Sequence, residues 1–143
     1  LEAKVAEYRK PLPDPIAETQ PYWDGCKRRE LLIQKCNQCG KYQFYPRSFC
    51  TNRECMSTSL TFEKVSGRGK IYTYSINYRP APGFNNETPY VVALIELDGT
   101  GGVRMMSNVI NVDPQQVKVD MPVEVVFDDV TEDITLPKFR PAQ

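Results

Sequence analysis

Four cysteines in two closely spaced pairs constrain the fold of this chain more than any other feature. Two residues separate Cys36 from Cys39, four separate Cys50 from Cys55, and ten lie between the pairs. A Cys-x2-Cys-Gly segment turns tightly, so both sulfurs can face one ion, and two such turns can place four sulfurs in a tetrahedron. The spacing therefore predicts a metal site with four thiolate ligands.

Four thiolates fill a tetrahedral coordination sphere, so we expect the ion to be structural and not catalytic. Zinc is the expected metal, and iron in a rubredoxin-like site is the chemical alternative. Such a site supplies on the order of 10 kcal/mol in small zinc peptides, which a ribbon of about thirty residues needs because its core is small. The four-residue spacing of the second pair requires the loop at residues 51–54 to bulge. The fifth cysteine, Cys26, is expected in the core.

Composition narrows the possible functions. The chain of 143 residues has 18 basic and 18 acidic side chains and no histidine. A neutral charge disfavours binding along nucleic-acid backbones, and the lack of histidine removes the commonest general base near neutral pH. The longest apolar run, residues 90–95, is far shorter than the ~20 residues of a membrane span. No secretory signal is seen and the cysteine count is odd, so we expect a cytoplasmic protein.

The pattern of residues predicts a mainly β protein in three parts. Residues 1–30 are expected to form an N-terminal helical segment, residues 31–60 the zinc ribbon, and residues 61–143 a barrel with a C-terminal tail. Strands are expected at 60–65, 70–78, 90–97, 103–110 and 123–127, with an irregular tail at 136–143. Five or six short strands, a long loop at 79–89 and a helical turn near Asp113 are typical of an OB-fold barrel.

The strand at 70–78 alternates, which places Tyr72, Tyr74 and Tyr78 on one face. Such a row could stack on the bases of a single-stranded nucleic acid, as on other OB-folds. Aromatic side chains are also common in strands for packing reasons alone. We favour the packing interpretation and keep the nucleic-acid-binding module as the alternative function.

Several segments together resemble one known family. They are 21–25 (PYWDG), 36–39 with 45–47 (YPR), 67–75 (GRGKIYTYS), 89–96 (PYVVALIE), 107–108, 121–127 (MPVEVVF) and 137–141 (PKFRP). The chain resembles the DUF35 family, which combines an N-terminal helical segment, a rubredoxin-like zinc ribbon and an OB-fold. It looks particularly like the small subunits of thiolases in anaerobic aromatic degradation, such as benzoylsuccinyl-CoA thiolase. One departure is the Cys50-x4-Cys55 pair, because many members have Cys-Pro-x-Cys there.

The resemblance implies an accessory subunit that is not catalytic alone. Its expected partner is a thiolase-superfamily large subunit in a hetero-oligomer that acts on acyl-CoA. CoA or acyl-CoA is then expected at the partner interface, and its phosphates could meet four basic residues, namely Lys35, Lys41, Arg47 and Arg79. A stand-alone enzyme is disfavoured, because no nucleophile, base and oxyanion donors occur at a recognisable spacing.

Overall fold

The computed structural model describes residues 8–84 and 87–143 of the chain. The first seven residues of the expected N-terminal segment 1–30, and residues 85–86 of the expected loop 79–89, lie outside the described residues. The elements in chain order are helix α1 (Gln20–Lys27), strands β1 (Leu32–Cys36), β2 (Tyr42–Gln43), β3 (Leu60–Lys64), β4 (Arg68–Asn77), β5 (Tyr90–Leu97) and β6 (Arg104–Val109), a 3-10 turn (Pro114–Gln116), and strands β7 (Pro122–Asp129) and β8 (Thr135–Pro141).

Helix α1 begins after Thr19, and Pro21 lies in its first turn. Proline suits this position because the first helical N–H groups have no partner within the helix. Gly25 costs helix propensity, but the structure shows why it is present. A Cβ at Gly25 would lie 2.8 Å from Cδ1 of Leu32, so glycine allows the helix to pack directly against β1.

Strands β2, β1 and β3 form the sheet of the ribbon, with β1 in the middle and both pairings antiparallel. The strand at 60–65 was predicted to belong to the barrel. The structure corrects this, because Cys36 pairs with Leu60 and Leu32 pairs with Lys64. After the second cysteine pair the chain runs back beside β1, so β3 pairs with β1 before the chain enters the barrel. This contact joins segments that are distant in sequence, and a local residue pattern does not predict it.

The remaining strands close into a barrel in the order β4-β5-β6-β8-β7. The expectation of an irregular tail at 136–143 is wrong, because β8 pairs antiparallel with β7 along its length and parallel with β6 at Val109 and Phe139. Prolines at 137 and 141 lack the N–H that a ladder requires, which makes the segment resemble a loop. Tertiary burial overrides this signal, since the Phe139 side chain is fully buried.

The alternation of β4 is broken by a bulge between Ile71 and Thr73. Tyr72 is therefore exposed, whereas Tyr74 pairs with Ala93 and packs partly against the core. The guanidinium of Arg104 lies 3.6 Å from the centre of the Tyr72 ring. The expected single row of tyrosines does not form, because one extra residue in a strand shifts the side chains that follow it.

One hydrophobic core joins the helix, the ribbon and the barrel. Tyr22 and Cys26 of the helix and Ile33 of β1 belong to the same buried cluster as Ile71 and Phe139 of the barrel. The metal-binding loops are thereby held against a rigid base. Within the residues that the structure describes, no helix has the length and apolar character that crossing a membrane requires.

Candidate metal centre and neighbouring surfaces

The four predicted ligands come together at one point. The Sγ atoms of Cys36, Cys39, Cys50 and Cys55 all lie within 4.8 Å of one another. The Cys36 and Cys55 sulfurs are 3.6 Å apart, as are the Cys39 and Cys50 sulfurs. A regular tetrahedron with zinc–sulfur bonds of about 2.3 Å has sulfurs about 3.8 Å apart. The observed spacing and the all-thiol donor set therefore fit a four-coordinate zinc ion.

The first turn of the site is built from the end of β1. The Gly40 N–H donates to the Cys36 carbonyl at 2.9 Å, and Gly40 has a φ of 78°. Backbone N–H groups also face the sulfurs. That of Cys39 lowers the pKa of the Cys36 thiol to about 6, and that of Lys41 lowers the pKa of the Cys39 thiol. These donors favour the thiolate forms that bind a metal.

The second turn accommodates its two extra residues through Asn52. The Asn52 carbonyl accepts from the N–H groups of both Cys55 and Met56 at 2.9 Å. Met56 takes a φ of 52°, and the Cys50 N–H donates to the Ser57 carbonyl at 2.8 Å. The four-residue spacing is thus absorbed by a hydrogen-bonded turn, and the sulfurs of Cys50 and Cys55 still reach the centre.

Two buried glutamines hold the loop between the cysteine pairs. Gln34 and Gln43 are register partners on β1 and β2, and Gln43 Nε2 donates to Gln34 Oε1 at 2.6 Å. The Gln34 side chain also holds Arg47, because Gln34 Nε2 donates to the Arg47 carbonyl and Gln34 Oε1 accepts from the Arg47 N–H. Gln43 accepts from the Thr51 N–H at 2.9 Å and donates to the Phe49 carbonyl at 3.1 Å. This pair was not predicted, although a glutamine on each of the two strands beside the cysteines was a signal that the sequence contains.

The fifth cysteine is separate from the metal centre. Cys26 is fully buried in α1 beside Tyr22, and burial raises the pKa of its thiol to about 12. A thiol with so high a pKa carries almost no thiolate near neutral pH. The expected core role of Cys26 is confirmed.

The four basic residues proposed for CoA phosphates lie in both parts of the chain. Lys35 on β1 has its Nζ 3.7 Å from Glu63, so its charge is already partnered. Lys41 precedes β2, and Arg47 lies in the loop that the glutamines hold. Arg79 follows β4 in the barrel, and its N–H donates to the Asn77 side chain.

A second surface feature is an apolar groove of about 320 Å³ between α1, the loop after β2, and strands β6 and β8. Its wall includes the half-buried Trp23 and the exposed Tyr45 and Met106, and Met106 is 66% exposed. Trp23 Nε1 donates to the Tyr45 hydroxyl at 2.8 Å, which fixes the two rings against each other. This groove was not predicted, because its residues come from four distant segments of the chain.

Comparison with known proteins agrees with the observed architecture. Residues 23–61 match the family model described as the ChsH2 rubredoxin-like zinc ribbon domain, and residues 62–128 match the ChsH2 C-terminal OB-fold domain. A solved chain described as "Ltp2-ChsH2(DUF35) aldolase" is 31% identical to this chain, with a TM-score of 0.81. The alignment covers 92% of this chain and all of that one.

Two curated relatives differ in length. A DUF35 domain-containing scaffold protein of Methanocaldococcus jannaschii is 36% identical over 113 residues, which are 78% of this chain and 77% of the relative. A probable enoyl-CoA hydratase alpha subunit of Thermomonospora curvata is 34% identical over 129 residues, or 89% of this chain. The matched region spans only 39% of that hydratase subunit. Because a DUF35 domain-containing relative is 36% identical over more than two thirds of both chains, this chain belongs to the DUF35 family.

Proposed function

We propose that this chain is a zinc-containing, non-catalytic accessory subunit of an enzyme complex that acts on acyl-CoA, with a thiolase-superfamily large subunit as its partner. The observation that carries the proposal is the likeness, over 92% of this chain, to a whole chain described as part of an Ltp2-ChsH2 aldolase. The relative from Thermomonospora curvata, a hydratase alpha subunit, supports a setting of CoA-ester chemistry. The thiolase class of the partner rests on the family resemblance of the sequence.

The chemistry of the described residues supports a non-catalytic role. Four thiols supply every ligand of the metal centre, so a bound zinc would have no open position for substrate. The chain has no histidine. Its remaining thiol, Cys26, is buried, and its pKa is raised to about 12. The reacting groups are therefore expected on the large subunit.

The apolar groove is the surface that we expect to contact the large subunit. Trp23, Tyr45 and Met106 belong to the residue types enriched in protein interfaces. The rings are already fixed by the bond from Trp23 Nε1 to the Tyr45 hydroxyl, so little side-chain freedom would be lost on binding. Lys35, Lys41, Arg47 and Arg79 do not line this groove; they remain the proposed contacts for CoA phosphates elsewhere on the surface that faces the large subunit.

The test is purification of the tagged, zinc-loaded chain from its own cells, followed by identification of any large subunit that accompanies it. We expect a thiolase-superfamily protein, and acyl-CoA turnover only when both subunits are present. Turnover by the isolated chain, or a full rate from the large subunit alone, would overturn the proposal.

A pair of variants localises the contact. Met106→Glu places a charge in the apolar groove, and we expect it to weaken the complex by at least tenfold without changing the zinc content. Val119→Glu is the matched control, because Val119 is also an exposed apolar residue but does not line the groove. Equal affinity of the two variants for the large subunit would exclude the groove as the interface.

A further inference from the structure

Strand β6 carries two consecutive methionines in opposite environments. Met105 is buried in the core, whereas the side chain of Met106 is 66% exposed. Successive side chains of a strand point to opposite faces, so one sulfur is shielded from solvent and the other is accessible. Of the two further methionines, Met121 is half-buried against the core and Met56 is 58% exposed. Met106 and Met56 are therefore the methionines that a soluble oxidant reaches most readily.

The two exposed methionines differ in what surrounds them. Met106 lies in the wall of the apolar groove, together with Trp23, Tyr45 and Leu136. Met56 follows the second cysteine turn and does not line the groove. A chemical change at Met106 therefore alters the surface that we propose for the large subunit, and the same change at Met56 leaves that surface intact.

The polar side chains of the groove are already engaged within the chain. Trp23, Ser107, Asn108 and Lys138 each donate a hydrogen bond to another group of this chain. An oxygen atom added to the Met106 sulfur would meet apolar rings and these engaged donors when a partner covers the groove. Because burial of a polar group without a hydrogen bond is unfavourable, such an oxygen opposes binding.

We propose that Met106 is an oxidation site that controls assembly with the large subunit. Hydrogen peroxide transfers one oxygen to the Met106 sulfur of the free chain. An S–O bond forms as the O–O bond breaks, the sulfur is oxidised by two electrons, and the peroxide is reduced to water. The product is a sulfoxide, which is polar where the thioether was apolar. This inference rests on the proposed function, because it needs the large subunit at the groove.

Peptide mass spectrometry of the full, zinc-loaded chain tests the selectivity without any partner. We expect peroxide to oxidise Met106 at least tenfold faster than Met105, with Met56 as the positive control for an exposed methionine. Equal rates at Met105 and Met106 would overturn the proposal. An unreacted Met106 in a chain that is oxidised at Met56 would do the same.

Binding to the large subunit recovered with the chain tests the consequence. Each protein is compared with its own untreated form. We expect peroxide to weaken binding of the unaltered chain at least tenfold, as for one unsatisfied buried polar group. Met106→Leu keeps an apolar side chain of similar volume without a sulfur, so its affinity should not change on treatment. Met56→Leu is the matched control and should stay sensitive. Equal peroxide sensitivity of the two variants would overturn the proposal.

The thiols of the metal centre are the competing target of peroxide. Dithiothreitol alone reduces disulfides, whereas a sulfoxide is returned to the thioether by methionine sulfoxide reductases. We expect the affinity of the treated chain to recover only when the reductases are added together with dithiothreitol. Recovery with dithiothreitol alone would assign the loss to the cysteines, and the proposal would be wrong.

The two proposals fail in different experiments. A chain that binds its large subunit equally well before and after Met106 is oxidised overturns the oxidation site alone. A chain that accompanies no acyl-CoA enzyme overturns the proposed function, whatever the rate at which Met106 is oxidised.

Discussion

The ribbon and the barrel are both small β structures, yet they are held together by different interactions. The barrel closes on itself around fully buried side chains such as Ile71, Ile95, Val123 and Phe139. The ribbon has three short strands and an open sheet, and its interior includes two buried glutamines and a cluster of thiols. A metal ion and hydrogen bonds therefore replace, in the ribbon, the apolar burial that the barrel obtains from closure.

Removal of the metal should produce the largest difference in stability between the ribbon and the barrel. Chelation of zinc removes binding free energy on the order of 10 kcal/mol, and Cys39→Ser weakens the site by removing one of its four thiolate ligands. We expect the amides of β1 and β2 to lose protection in hydrogen exchange while those of β5 and β6 keep it. The matched control is Cys26→Ala, which should retain one zinc per chain. Loss of protection in both regions at one chelator concentration would show that the barrel also depends on the metal.

The converse variant is Phe139→Ala in the barrel. Truncation of a fully buried phenylalanine typically costs about 3–5 kcal/mol of unfolding free energy. We expect the denaturation midpoint of the barrel strands to fall while the folded protein still contains one zinc. If zinc is released at the same denaturant concentration at which the barrel strands unfold, the two regions unfold as one unit.

A smaller effect is expected from Gln43→Met in the ribbon. The variant keeps a similar volume but leaves the Thr51 N–H and the Phe49 carbonyl without their partner and removes one of the two donors to Gln34 Oε1. An unsatisfied buried polar group costs about 1–3 kcal/mol, so we expect zinc affinity to fall by roughly tenfold or more. Competition with a metal-binding dye measures this loss, and unchanged affinity would show that the glutamines do not hold the metal-binding loop.

The smallest effect is expected on the outer surface of the barrel. Arg104→Gln removes the cation–π contact with Tyr72, which at an exposed site is worth about 0.5–1 kcal/mol. Chemical denaturation should show a loss of this size with no change in zinc affinity. A loss of several kcal/mol would indicate that the bulge at Tyr72 depends on this contact.

Local patterns predicted the parts of the fold whose partners are close in sequence. Three such features could be predicted from the sequence: the metal centre, the helix at Gln20–Lys27 and the turn at Pro114–Gln116. Cysteine spacing, proline position and capping each act over only a few residues. The strand Thr135–Pro141 was missed, since its prolines suggest a loop and its pairing partners lie elsewhere. The bulge at Tyr72 was also missed, because alternation alone carries no sign of an inserted residue.

The sequence by itself determined the metal site and the family, because four thiols at fixed spacing and a set of short motifs are local properties. Only the tertiary structure decided which sheet β3 joins, that the barrel closes through β8, and where the apolar groove lies. Each of these brings together segments far apart along the chain. Their placement depends on which surfaces are buried when all elements pack at once, and no short window of residues contains that information.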